Sequence, residues 1–166
     1  MVCTTVGIVG KSIQFAQRRN EEVDWKRNHI CILNECRDGV WYVLQAEPKG
    51  ITDDKPLATI AIGGTFETMT LPVSVDRDRF LEFQRSQLGH RYSYLSILSC
   101  ALDMVLPPEI CLRRSGTWIC SGLVAASLWY AHFPPAKMWN DVYTITPAQL
   151  LDIIQKEIPH VISHSV

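Results

Sequence analysis

A chain of 166 residues is long enough for one domain with its own core, and 47% apolar and 20% charged content is that of a globular protein. A net charge of −1, with acids and bases mixed along the chain, offers no basic stripe to a nucleic acid. No apolar run is long enough to span a membrane, and the start, MVCTTVGIVGK, lacks the basic residues and longer apolar stretch of a signal peptide.

The six cysteines, Cys3, Cys31, Cys36, Cys100, Cys111 and Cys120, contain no CxxC spacing, which gives a metal site little support. In the absence of a secretory signal they read as reduced thiols of a cytoplasmic protein. No repeat, low-complexity tract or linker divides the chain, so residues 1–166 read as a single domain.

In chain order, residues 2–9 read as a short strand, and SIQFAQRRN as a helix capped by Ser12. NHICILN (28–34) alternates and is rich in branched residues, which predicts a strand. ECRDG then reads as a turn, and VWYVLQA (40–46) as the returning strand. LATIAI (57–62) and TMTLPVSV (68–75) continue the strands, with Pro72 marking an edge or bulge.

The period then changes. DRDRFLEFQRSQLG (76–89) is bracketed by Asp76 and Gly89 as a helix. YSYLSILSCALDMVL predicts an apolar helix ending at Pro107–Pro108, and residues 119–131 another, closed by Pro134–Pro135. Thr146–Pro147 opens a last helix over AQLLDIIQKE. Strands first and helices later predict an α+β domain on an antiparallel sheet.

Within GTWICSGLVAASLWY, Cys120 falls in the first turn of its helix. Unpaired amide donors and the helix dipole there favour a thiolate over the thiol. Ser121 and Gly122 keep the adjacent surface small, leaving room for a substrate carbonyl. The alternative is a packed core cysteine, the common state of a free thiol.

A nucleophile needs a base, and the base an orienting group. Of the five histidines, His132, His160 and His164 lie near helix ends or the tail, and His90 in the turn LGHRY. His29 lies on a strand among apolar neighbours. If Asn34 pairs with Val40 across a five-residue turn, His29 stands opposite Gln45, whose amide oxygen can accept a ring N–H and fix the tautomer. Glu47, two residues on and on the same face, is the competing orienter.

LGHRYSY followed by WICSGLV resembles the nucleophile segment of NlpC-like cysteine peptidases, where LG-x-x-Y precedes D-C-S-G-L at a helix start. NHICILN with VLQA resembles that family's base segment. Here His29 precedes Cys120, the order of the circularly permuted, YiiX-like branch, and the resemblance spans residues 12–130 in patches. It implies a permuted papain-like fold, with an antiparallel sheet carrying the base and the nucleophile at a helix N-terminus. It further implies Cys120 as nucleophile, His29 as base, Gln45 as orienter, and Tyr92 near the oxyanion.

Three features depart from the pattern. Ile119 replaces the usual aspartate before the cysteine, the interval from Tyr92 to Cys120 is long, and the NCEHF motif of the related lipid acyltransferases is absent. The expected activity is cysteine-dependent hydrolysis of an amide in a peptide, a cell-wall stem peptide or another acyl substrate, with no cofactor and no metal. A bacterial or phage source is implied by the resemblance. A thiol acyltransferase and a non-catalytic binding protein of the same fold are the alternatives.

Overall fold

Helix α5 (Cys120–Tyr130) is the axis around which the other elements are placed. Its sequence, CSGLVAASLWY, carries no charge, and every residue from Cys120 to Leu128 is buried. A helix without a polar face has to be covered on all sides. It is covered by α3 (Arg77–Ser86), α6 (Pro147–Glu157) and strands β2 (His29–Ile30) and β4 (Val40–Glu47). Gly122 permits the closest approach, since a Cβ there would sit 2.8 Å from the Val142 carbonyl oxygen.

The fold is that of a computed structural model, which describes residues 2–3, 8–19, 26–60, 65–71, 74–102, 115–133, 142–157 and 161–165. It is a mixed α+β arrangement. The remaining elements are β1 (Val2–Cys3), α1 (Ile8–Arg19), β3 (Ile32–Arg37), β5 (Gly50–Pro56), α2 (Leu57–Ile60), β6 (Thr65–Met69), β7 (Arg91–Tyr92), α4 (Tyr94–Leu102), β8 (Thr117–Trp118) and β9 (Val161–Ser165). An antiparallel sheet has the order β2-β1-β6-β9, a second β3-β4-β5, and β7 and β8 form a short parallel pair. Among the described residues no helix is long and apolar enough to cross a membrane.

Several helix ends follow local chemistry. Asp76 caps α3 by accepting the Arg79 N–H at 3.1 Å. Thr146 and Gln149 cap α6 reciprocally, each side chain accepting the other's backbone N–H, at 3.1 and 3.0 Å. Helix α5 ends in a left-handed residue, His132 (φ 61°), with Phe133 N–H donating to Leu128 O and His132 N–H to Trp129 O. That closure precedes Pro134–Pro135, which lie outside the described residues, as do Pro107–Pro108.

Other expectations are corrected. Residues 8 and 9 belong to α1, not to a strand, and Ser12 is inside that helix rather than at its cap. The 28–34 segment is two strands, β2 and β3, which separate at Cys31 and join different sheets. The turn after it is Asp38–Gly39 alone, with φ of 50° and 80°, and Glu35, Cys36 and Arg37 are paired residues of β3. Both positive φ values mark the two-residue hairpin turn that Asp-Gly favours. Residues 57–60 form a helical turn, and the strand lies earlier, over GITDDKP. That strand is at a sheet edge, where a polar face and a terminal proline are tolerated. The C-terminal tail carries β9, and the strand expected over 68–75 ends at Met69 as β6, Thr65–Met69, with residues 70–71 and 74–75 not in strand and Pro72 outside the described residues.

Candidate active site

Cys120 is placed by the residues just ahead of it. Trp118, on β8, stacks on Tyr143 with ring centroids 4.8 Å apart, meets Phe83 edge-on, and donates its indole N–H to Gln87 Oε1 at 2.9 Å. These contacts fix β8 against α3 and so fix where α5 starts. Ile119 is the N-cap and supplies no side-chain acceptor. The first-turn amide donors are therefore left for another acceptor. The Ser121 N–H acts on the Cys120 sulfur, as does the Ile30 N–H from β2, and both favour its ionised form.

His29 arrives on β2, beside Cys3 in the β1–β2 ladder. Its Nε2 lies 2.7 Å from Gln45 Oε1, a bond buried between the two side chains. Gln45 has only its oxygen to offer there, so Nε2 carries a proton and donates. The imidazole also hydrogen-bonds Cys120, and with Nε2 committed to Gln45 the sulfur is left to Nδ1. Cys120, His29 and Gln45 thus stand together, at 1%, 8% and 4% exposure.

The electrostatics are those of an ion pair. Burial alone would lower the His29 pKa, but the charge and hydrogen bond of Cys120, with smaller help from Cys31 and Gln45, outweigh it and raise the value to about 9. Burial alone would raise the Cys120 thiol, but the His29 charge and hydrogen bond, with the N–H groups of Ile30 and Ser121, bring it below its ordinary value. Both shifts favour thiolate with imidazolium over the neutral pair.

The other expected site residues go elsewhere. Glu47 does not reach His29: its Oε2 pairs with Lys55 Nζ at 2.5 Å across the β4–β5 hairpin. Ser121 is fully buried, and its hydroxyl donates to Ile145 O at 2.6 Å. Its side chain is an anchor for the strand of chain entering α6, so the substrate-facing role expected of it is corrected, while its backbone N–H serves the sulfur. The smallness of Gly122 likewise serves the packing of Val142, not a substrate.

Tyr92 lies beside Trp118 in the β7–β8 pair, with its ring in a buried cluster alongside Leu44 and Leu123 and edge-on to Tyr94. It also borders a surface pocket of about 360 Å³ shared with Lys49, Arg91 and Thr117.

The sequence reading missed the backbone of Ile30 as a donor to sulfur and Cys31 as a neighbour of His29. Neither leaves a sequence signal, because a backbone N–H is common to every residue and Cys31 reads as an apolar strand residue. Cys31, Cys36 and Cys120 are free thiols. Among the described residues no three His, Cys, Asp or Glu side chains gather as metal ligands. No family model matches the chain, and no curated protein or solved structure matches it.

Proposed function

We propose that the chain is a thiol hydrolase of permuted papain-like fold that cleaves an amide. The observation that carries this reading is the Gln45–His29–Cys120 chain of hydrogen bonds ending at the first residue of a helix. A neutral amide orients the imidazole, the imidazolium stabilises the thiolate, and the helix start supplies N–H donors.

In the proposed reaction Cys120 sulfur attacks the carbonyl carbon, forming an S–C bond and a tetrahedral oxyanion. The Cys120 backbone N–H, which at the first helical position has no partner within the helix itself, stabilises that oxyanion. His29 gives its proton to the leaving nitrogen, the C–N bond breaks, and a thioester remains. The neutral imidazole then takes a proton from water, whose oxygen attacks the thioester. Carboxylic acid is released, with thiolate and imidazolium restored. Substrates fitting this chemistry are amides in peptides, cell-wall peptides or other acyl compounds.

A binding protein of this fold is the second reading, and one observation favours it. Cys120 is 1% exposed, so a substrate reaches the sulfur only by displacing what is packed on it. Limited alkylation with iodoacetamide at pH 6, mapped by mass spectrometry, separates the two. A nucleophile gives labelling at Cys120 ahead of the exposed Cys36. Labelling at Cys36 with Cys120 untouched makes the thiol a packing residue.

A further inference from the structure

A pocket of about 310 Å³ opens beside the candidate site, with Ile30, Ile32, Met69, Phe80, Leu81 and Val124 among its walls. It is twice the size of a cavity that holds benzene, about 150 Å³, and lies at the lower end of ordinary ligand pockets, about 300 Å³. Two of its wall residues are also neighbours of the sulfur. Ile30 donates its N–H to Cys120, and Val124 follows Cys120 by one helical turn on the same face of α5. Ile30, Cys120 and Val124 belong to one apolar cluster. The exposed Arg77, at the start of α3, marks the side where the pocket meets solvent.

We infer that this pocket receives the acyl half of the substrate, and that this half is an aliphatic chain of medium length. The inference rests on the thiol-hydrolase reading. The leaving nitrogen must lie at His29 to collect its proton. The group on the far side of the carbonyl is then the one that runs along α5 toward Val124. The walls there are mostly aliphatic. Such walls reward apolar area more than directional contact, although Thr68, Thr70 and Arg77 add polar groups, and this suits a hydrocarbon chain better than the polar backbone of a stem peptide.

The test uses acyl p-nitrophenyl esters from acetyl to decanoyl. Acylation of Cys120 is read by mass spectrometry, with the exposed Cys36 as the reference thiol for each reagent. The Cys120-to-Cys36 ratio should rise by about fourfold per methylene up to a plateau, as expected for burial of about 0.8 kcal/mol per CH₂. Leu81→Trp, which fills the pocket, should flatten that rise. Should the variant fail to fold, the wild-type series decides alone. A flat series in which Cys120 still takes acetyl and iodoacetamide overturns the pocket assignment and leaves the nucleophile standing. A Cys120 that takes neither reagent overturns the nucleophile, and the acyl pocket with it.

Discussion

Gln17 and Gln45 are both buried glutamines, at 0% and 4% exposure, and each spends its amide on a hydrogen bond across the fold. Gln17, on α1, donates to Arg27 O at 2.8 Å and accepts from Ala148 N–H at 3.0 Å. It ties α1 to the segment entering β2 and to the first turn of α6. Gln45 accepts from the His29 ring, and that ring meets a thiol. In the first constellation the Gln17 bonds to Arg27 O and from Ala148 N–H are to backbone groups, which take up or lose no proton over any ordinary pH. The second ends on two titratable groups whose pKa values are pushed in opposite directions. A buried polar side chain is by itself only a solved packing problem. What distinguishes Gln45 is the chemistry of its partner.

The largest expected effect comes from removing that partner. His29→Ala should cut amide hydrolysis by about 10²- to 10⁴-fold, the usual value of a positioned acid–base group. It should also move the Cys120 labelling profile to higher pH, because burial then acts on the thiol without an opposing charge. In the intact protein, labelling should persist below the ordinary thiol range. Hydrolysis should fall as pH rises through about 9, where His29 gives up the proton destined for the leaving nitrogen. A variant with normal turnover and an unmoved labelling profile would erase the contrast between the two glutamines.

Gln17→Ala tests the other side of the comparison. It removes the Gln17 bonds to the Arg27 carbonyl and from the Ala148 N–H, at a cost of about 1–3 kcal/mol. For a chain of this size that is a fall in Tm of about 2–12 °C. Cys120 labelling in the folded protein should hold its pH profile. An unchanged melting curve with a shifted profile would place Gln17 in the site and overturn its scaffolding role.

The contrast was half legible in the sequence. Cys120 at a helix start, the caps at Asp76 and Thr146, and the meeting of His29 with Gln45 could all be read from residue type and spacing. The route to that last contact could not. The Asp38–Gly39 dipeptide sets a tighter hairpin than ECRDG implies, and a bulge between Leu33 and Glu35 shifts the ladder again. Continued in register, that ladder would carry His29 opposite Glu47. The chain instead leaves it at Cys31 and pairs its backbone with Cys3, which brings the ring to Gln45. Strand β5 was missed because its polar residues suit an edge, and β7 and β8 because two residues carry no period. Gln17 carries no sequence signal of burial, since a lone glutamine on an amphipathic helix reads as solvated.

The smallest expected effect lies along β4, where two neighbouring acceptors compete for one role. Gln45→Ala removes one hydrogen bond from the imidazolium, and bonds to a charged group are worth about 1.5–3 kcal/mol. That is roughly a 13- to 160-fold loss in kcat/KM at most, since each 1.36 kcal/mol is tenfold. Gln45→Glu should keep much of the activity, because a carboxylate still accepts the Nε2 proton, and its charge should hold the imidazolium to higher pH. Glu47→Ala removes a partly exposed ion pair with Lys55, at 15% and 36% side-chain exposure, and pairs of that kind contribute about 0–1 kcal/mol to stability. It should leave kcat/KM unchanged within about twofold, since it touches neither His29 nor the sulfur. The informative quantity is the ratio of the two alanine variants on one substrate. If Glu47→Ala is the crippled enzyme and Gln45→Ala the healthy one, the imidazole takes its orientation from the carboxylate. The ring would then have to leave its 2.7 Å contact with Gln45 during turnover.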